Sequence, residues 1–213
     1  SNYYSTENGG SVSVAYTGVD TFKEKVLYSE TDTSIIYITD AYEEEILASD
    51  VGFDEQEYVL SEDYESLVYL DNSDVVKVTE FQRGGLKTVL DDEAYAWELY
   101  SGGNLKYVYY VNGENELYRI KGKKVKKIAD DVTSVCVSAD GKYCYYVVED
   151  EKYCYSKKGR KGKELLEEEG KEIFCYRSYD RVYAKVNDGE TTEVFRMDGK
   201  EAEIFRSYEE NGL

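Results

Sequence analysis

Between Thr133 and Glu169, apolar and polar residues alternate in four short runs: Val135 and Val137, then Tyr143, Tyr145 and Val147, then Tyr153 and Tyr155, and last Leu165. A period of two marks strands, and Asp140-Gly141, Glu149-Asp150-Glu151 and Gly159-Arg160-Lys161-Gly162 interrupt the runs as turns. The stretch therefore predicts four antiparallel strands joined by hairpins, the unit of a β-propeller blade. Glu and Leu between Lys163 and Phe174 favour helix, but Gly162 and Gly170 bracket too few residues for one, and a strand is expected there.

The pattern repeats. Short turns after the first strand of each unit read Thr17-Gly18-Val19-Asp20, Ser61-Glu62-Asp63-Tyr64, Ser101-Gly102-Gly103-Asn104, Ser138-Ala139-Asp140-Gly141 and Ser178-Tyr179-Asp180-Arg181. Their spacings of 44, 40, 37 and 40 residues match the roughly 40 to 45 residues of a four-stranded blade. Aromatic second strands follow, such as Tyr107-Val108-Tyr109-Tyr110 and Tyr143-Cys144-Tyr145-Tyr146, then third strands such as Leu117-Tyr118-Arg119-Ile120. The fourth strands are short apolar pairs beside charge, such as Leu165-Leu166 and Ile204-Phe205, as an outer edge that must discourage foreign pairing requires. The expectation is an all-β chain, a propeller of five four-stranded blades in one domain spanning residues 1–213, with units near 11–51, 52–93, 94–132, 133–170 and 171–213. Each unit is one contiguous segment, so ring closure would lack a shared strand unless Tyr3-Tyr4 supplied one beside the last blade.

The Ser-x-Asp-x turn, the aromatic second strand and the Leu-Tyr-Arg-Ile third strand resemble the TolB-like propeller repeat, whose signature turn is Ser-Pro-Asp-Gly, and Ser138-Ala139-Asp140-Gly141 matches it best. Pro is absent throughout, and the turns at Thr17 and Ser101 lack the Asp at its place. The units are also similar to surface-anchored propeller domains of Gram-positive bacteria. The resemblance implies a binding scaffold more than an enzyme: a noncatalytic extracytoplasmic or cell-surface module that binds or senses a protein, peptide or glycan. The opening Ser1-Asn2, without Met, suggests a piece of a longer protein whose membrane tether lies outside this chain.

Composition narrows the chemistry. The net charge of −19 argues against nucleic acid and against an electrostatic hold on anionic lipid, and favours cationic partners. No run reaches the roughly 20 apolar residues of a membrane helix. Histidine is absent, which removes the commonest general base and the commonest zinc nitrogen ligand.

Blade topology sorts the charges by end. Turns between second and third strands share an end with the connections to the next blade, and that end collects Asp71, Asp74, Asp91, Asp92, Asp130, Asp131, Glu149, Asp150 and Asp188. Such carboxylates could bind Ca²⁺ or a basic peptide, although no turn carries the Asp-x-Asp-x-Asp-Gly spacing of a dedicated calcium loop and acidic turns are also ordinary solvated hairpins. The opposite end is expected to hold Lys121, Lys123, Lys124, Lys126 and Lys127 with Lys158, Arg160, Lys161 and Lys163, a patch for a polyanion such as a cell-wall polymer or plain solvated charge.

Hairpin counting, with turns centred on Asp140 and Glu149, sets Cys136 opposite Cys144 and Cys144 opposite Cys154, a row of thiols across one blade; buried free thiols are the plain reading for these and for Cys175. The 24 tyrosines fit strands whose rings pack between blades while the hydroxyls reach water. The competing function is a carboxylate glycan hydrolase in a central funnel, with Glu55, Glu57, Glu98 and Glu172 as inward acids and Tyr58, Trp97 and Tyr176 as sugar-stacking rings.

Overall fold

The computed structural model describes the backbone of the strands between residues 3 and 88, with side chains there at 59, 68–71 and 73–78. It also describes Ala94 and Ala96, and nearly everything in 99–209 except 103–104 and 169–170. Every sheet is an antiparallel meander in chain order. The first contains β1 (Tyr3–Ser5), β2 (Ser11–Val14), β3 (Lys25–Ser29), β4 (Ser34–Ile38) and β5 (Glu44–Ala48). The second contains β6 (Tyr58–Leu60), β7 (Ser66–Leu70), β8 (Val76–Gln82) and β9 (Gly85–Thr88). The third contains β10 (Leu99–Ser101), β11 (Val108–Val111), β12 (Leu117–Lys121) and β13 (Lys124–Ala129), with a 3-10 turn at Leu105–Tyr107 before β11. The fourth contains β14 (Val132–Val137), β15 (Tyr143–Val148), β16 (Lys152–Lys157) and β17 (Lys163–Glu167). The fifth contains β18 (Glu172–Ser178), β19 (Arg181–Asn187), β20 (Thr191–Asp198) and β21 (Glu201–Glu209).

The strands follow the hydrophobic pattern closely, and the Lys163 segment is strand β17 rather than helix. One correction concerns Tyr3-Tyr4. These residues pair with β2, Tyr4 opposite Val12, and so extend the first sheet instead of joining the last. Outer pairing shows a second regularity: β4–β5, β12–β13, β16–β17 and β20–β21 each carry a register shift. A bulge there twists the edge strand and spoils it as a template for other chains.

The chain divides into two compact units, Ser1–Leu99 and Tyr100–Leu213. In the second unit the core lies in two layers. Tyr107, Tyr109, Leu117, Val132, Val137, Cys144 and Tyr146 form one; Tyr145, Val147, Tyr153, Ile173, Cys175, Val182 and Phe195 belong to the other. Strand β15 therefore buries both faces, alternate residues serving alternate layers, which is why its sequence is apolar or aromatic at nearly every position. Each large side chain removed from water in this way contributes about 1.5–3 kcal/mol.

The Ser138-Ala139-Asp140-Gly141 turn is explained atom by atom. The Ser138 hydroxyl donates to Asp140 Oδ1 at 2.8 Å and accepts from the Tyr143 amide at 3.0 Å, while the Lys142 amide donates to Asp140 Oδ1 at 3.0 Å. Gly141 has φ +72°, the left-handed backbone that glycine adopts without strain. The fifth unit departs from this form. Ser178 pairs directly with Arg181, leaving a two-residue turn with Tyr179 at φ +56°.

Candidate functional site

The acidic end of the second unit is built from backbone outwards. Asn115 has φ +60° and its carbonyl accepts from the Val132 amide at 2.8 Å; Asp150, also at φ +60°, accepts from the Ile173 amide at 2.9 Å. In the first unit Asp74 repeats the arrangement, with φ +59° and its carbonyl receiving the Ala96 amide at 2.9 Å. These three turns, in the second, third and fourth sheets, thus set a carbonyl on the segment entering the next sheet. Asp and Asn suit the position because they tolerate left-handed backbone better than other non-glycine residues.

A side-chain device fixes the same turns. Asp71 Oδ1 accepts from the amides of Ser73 and Val75 at 2.9 and 3.0 Å, and Asn112 Oδ1 accepts from Glu114 and Glu116 at 3.0 and 2.9 Å. Asp188 does likewise for Glu190 and Thr191 at 2.9 and 2.7 Å, and these amides hold its carboxyl below the usual range. Asp71 and Asp188 therefore spend one carboxylate oxygen on local structure.

Three connected turns lie side by side in this unit. The Glu149 amide donates to Asp131 at 3.0 Å, and the Glu168 amide donates to Glu151 at 3.1 Å. Glu168 also pairs with Lys171 at 3.0 Å, and Lys171 lies within the field of Asp188 and Glu193. Asp130, Asp131, Glu149, Asp150 and Asp188 are thereby brought onto one acidic ribbon crossing three sheets, with Asp131, Glu149 and Asp150 exposed on left-handed backbone. Among the described residues no three His, Cys, Asp or Glu side chains gather as a metal site. Asp91 and Asp92 lie outside the described residues, as do Glu55, Glu57, Trp97, Glu98 and the ring of Tyr58.

Lysines are interleaved with the ribbon. Lys127, expected at the basic end, instead pairs with both Glu116 and Asp130. Its strand runs from the basic turn to the acidic end, and the side chain sits near the far end of that run. Bonds from Lys127, Tyr118 and Asn112 bring the Glu116 carboxyl down to about 2. Lys152 meets Glu167 at 3.3 Å. The i,i+3 spacings of Lys127 with Asp130 and of Glu168 with Lys171 were the available sequence signal for this neutralisation.

At the other end Lys123 and Lys124 are exposed beside Gly122, and Lys158, Arg160 and Lys161 are exposed around Gly159. Arg119 organises the second of these turns: its guanidinium donates to the carbonyls of Lys158 and Lys106 and lies 5.0 Å from the Tyr107 ring centre.

The hairpin count for the cysteines is overturned. Cys136 pairs with Tyr145, while Cys144 pairs with Val137 and Ser156, because the loops centre half a residue and one residue later than counted. Glu149 and Asp150 both adopt left-handed backbone in the second loop. A one-residue slip reverses every face. Cys144 and Cys154 consequently belong to one core layer, and Cys136 and Cys175 to the other. Two tyrosine hydroxyls bond across sheets: Tyr145 donates to the Gly199 carbonyl at 2.8 Å and Tyr109 to the Gly141 carbonyl at 3.3 Å.

No protein-family profile matches this sequence. No curated protein matches it either. Solved structures do. A dihydro-heme d1 dehydrogenase, NirN, solved in complex with DHE, is similar with a TM-score of 0.59 at 14% identity over 98% of this chain and 50% of its own. An oligogalacturonate lyase in complex with manganese has a TM-score of 0.56 at 11% identity, over 97% and 72% of the two chains. The C-terminal WD40 domain of Sif2 has 0.51 at 13% identity, over 86% and 57%. The chain thus spans half the length of NirN. At such identities the likeness carries fold alone. Together with the repeated four-stranded meanders, it makes this chain a β-propeller by fold.

Proposed function

We propose that this propeller is a noncatalytic binding module whose ligand is a lysine- and arginine-rich segment of another protein, held on the acidic ribbon of Asp130, Asp131, Glu149 and Asp150. The carrying observation is that backbone bonds between consecutive sheets hold these acidic turns in fixed positions while Asp130, Asp131, Glu149 and Asp150 stay exposed. Preorganised charge costs little ordering entropy on binding and raises the on-rate of a cationic ligand. Lys127 and Lys171 temper the self-repulsion of the ribbon, the first by pairing with Asp130 and the second with Glu168.

The proposal includes five blades acting as one domain, in keeping with structural matches that span 97–98% of the chain. It also includes a TolB-like, extracytoplasmic setting on a tether outside this chain, in keeping with the turn at Ser138 to Gly141. A hydrolase would need two carboxylates facing each other across a funnel. Of its candidate acids the described residues include Glu172, exposed on β18, and Tyr176 stacks on Tyr183 rather than standing apart. The binding module is the better supported reading.

Fluorescence anisotropy with a labelled peptide of mixed Lys and Arg tests it. Binding should weaken at least ~10-fold in the variant D130N/D131N/E149Q/D150N, equivalent to about 1.4 kcal/mol, and should fall with added salt. Equal affinity in variant and parent would defeat the proposal. A calcium-induced rise in the thermal midpoint, abolished by the same substitutions and with no peptide binding, would replace the peptide with the ion.

A further inference from the structure

Two of the four cysteines meet across a sheet boundary. Cys136 lies on β14 and Cys175 on β18, the first strands of the fourth and fifth sheets, and Cys136 packs against the core layer that contains Cys175. Ser134, two residues from Cys136 and on the same side of β14, holds Cys175 in place. Its Oγ lies 2.9 Å from Cys175 Sγ and accepts from the Cys175 amide at 3.4 Å. Arg177 reaches back to the Val137 carbonyl at 3.4 Å, which sets a guanidinium beside the Cys136 strand. The Tyr153 hydroxyl in the same core layer is fully buried and has no hydrogen-bond partner among the described residues.

We infer that Cys136 and Cys175 form a redox-active dithiol that closes into a disulfide and staples the fourth sheet to the fifth. The two thiols are unequal in the manner this chemistry needs. Cys136 is partly exposed, and its interaction with Cys175, with the Arg177 charge assisting against desolvation, lowers its thiol from the ordinary value. Cys175 is buried, and its interaction with Cys136 followed by desolvation pushes its thiol well up. Cys136 is thus the reachable nucleophile and Cys175 the group that resolves.

The oxidant is a small-molecule or protein disulfide, and the step is thiol–disulfide exchange. The Cys136 thiolate attacks one sulfur of oxidised glutathione, forming a mixed disulfide and releasing one glutathione thiolate. Cys175 gives its proton to that thiolate and attacks Cys136 Sγ, so that the Cys136–Cys175 bond forms and the second glutathione leaves. Two electrons pass from the protein pair to the oxidant. Cys144 and Cys154 stay out of the exchange, since burial pushes the first well up and holds the second at about 11.

The test is peptide mapping of the full chain after equilibration with oxidised glutathione, trapping of remaining thiols with an alkylating agent, and digestion. The expected product is a linked Cys136–Cys175 peptide, with Cys144 and Cys154 recovered as thiols after denaturation. Before oxidation Cys136 should alkylate at least ~10-fold faster than Cys144 in the native protein. C144S should still form the link and C136S should not. Recovery of Cys136 and Cys175 as separate thiols or as separate glutathione adducts would overturn the inference, as would linkage of either to Cys144 or Cys154. The mapping of the parent chain decides the matter even where a variant folds poorly.

Discussion

Two tyrosines with nearly identical burial show how partner geometry, more than exposure, sets the worth of a polar atom. Tyr145 and Tyr153 stack on each other with ring centres 6.2 Å apart. The Tyr145 hydroxyl donates to the Gly199 carbonyl in the next sheet, whereas the Tyr153 hydroxyl has no partner among the described residues. Removing a satisfied hydroxyl leaves a carbonyl without its donor, at about 1 kcal/mol, while removing an unsatisfied one relieves a desolvation cost. Tyr145→Phe should therefore lower stability by about 1 kcal/mol and Tyr153→Phe should leave it unchanged or raise it, as read by urea denaturation. Equal losses for both would mean that Tyr153 has a partner in solution. Glycines obey the same local logic. A Cβ on Gly102 would lie 2.6 Å from the carbonyl oxygens of Ser138 and Ala139, so two turns approach too closely there for any side chain.

At the scale of the element, hairpins were legible and their exact centres were not. Strands β14 to β17 fall where the pattern placed them: β15 is buried on both faces and apolar or aromatic throughout, whereas the outer strand β17 keeps only Leu165 and Leu166 partly covered among exposed charge. Register depends on loop details that composition does not encode. The Ser138 loop closes with the Ser138 amide on the Tyr143 carbonyl, and the next loop holds two left-handed residues, so the row of thiols becomes two pairs on opposite faces. Acidic turns were legible as turns, yet the work of Asp71, Asn112 and Asp188 as turn acceptors was hidden among ordinary loop residues.

The Glu116 network ties the β11–β12 hairpin to the outer strand through Lys127, with Tyr118 and Asn112 donating to the same carboxylate. Its folded value of about 2 lies below the ordinary 4.5, so its stabilisation is complete above the unfolded value and is lost as pH falls from about 4.5 towards 2. The thermal midpoint should therefore fall across that interval more steeply in the parent than in Glu116→Gln. Parallel acid profiles would show that Glu116 adds nothing to the pH dependence.

Across the whole molecule, repetition turns a local device into a surface. The second, third and fourth sheets each place a second-to-third-strand turn beside the segment entering the next sheet, and within 100–213 the acidic residues Asp130, Asp131, Glu149, Asp150 and Asp188 stand at that end of the strands. Lys123, Lys124, Lys158, Arg160 and Lys161 stand at turns of the opposite end. The polarity was readable from topology and charge; the lysines that temper the acidic end were not, because Lys127 reaches it from a strand that begins in the basic turn. Hydrogen exchange of the chain with and without a saturating Lys/Arg peptide locates the bound surface directly. Slowed exchange is expected at 130–132, 149–151 and 171–173, with the turns at 122–124 and 158–161 unchanged; protection at the basic turns, or none at any of these segments, would contradict a peptide held on the acidic ribbon.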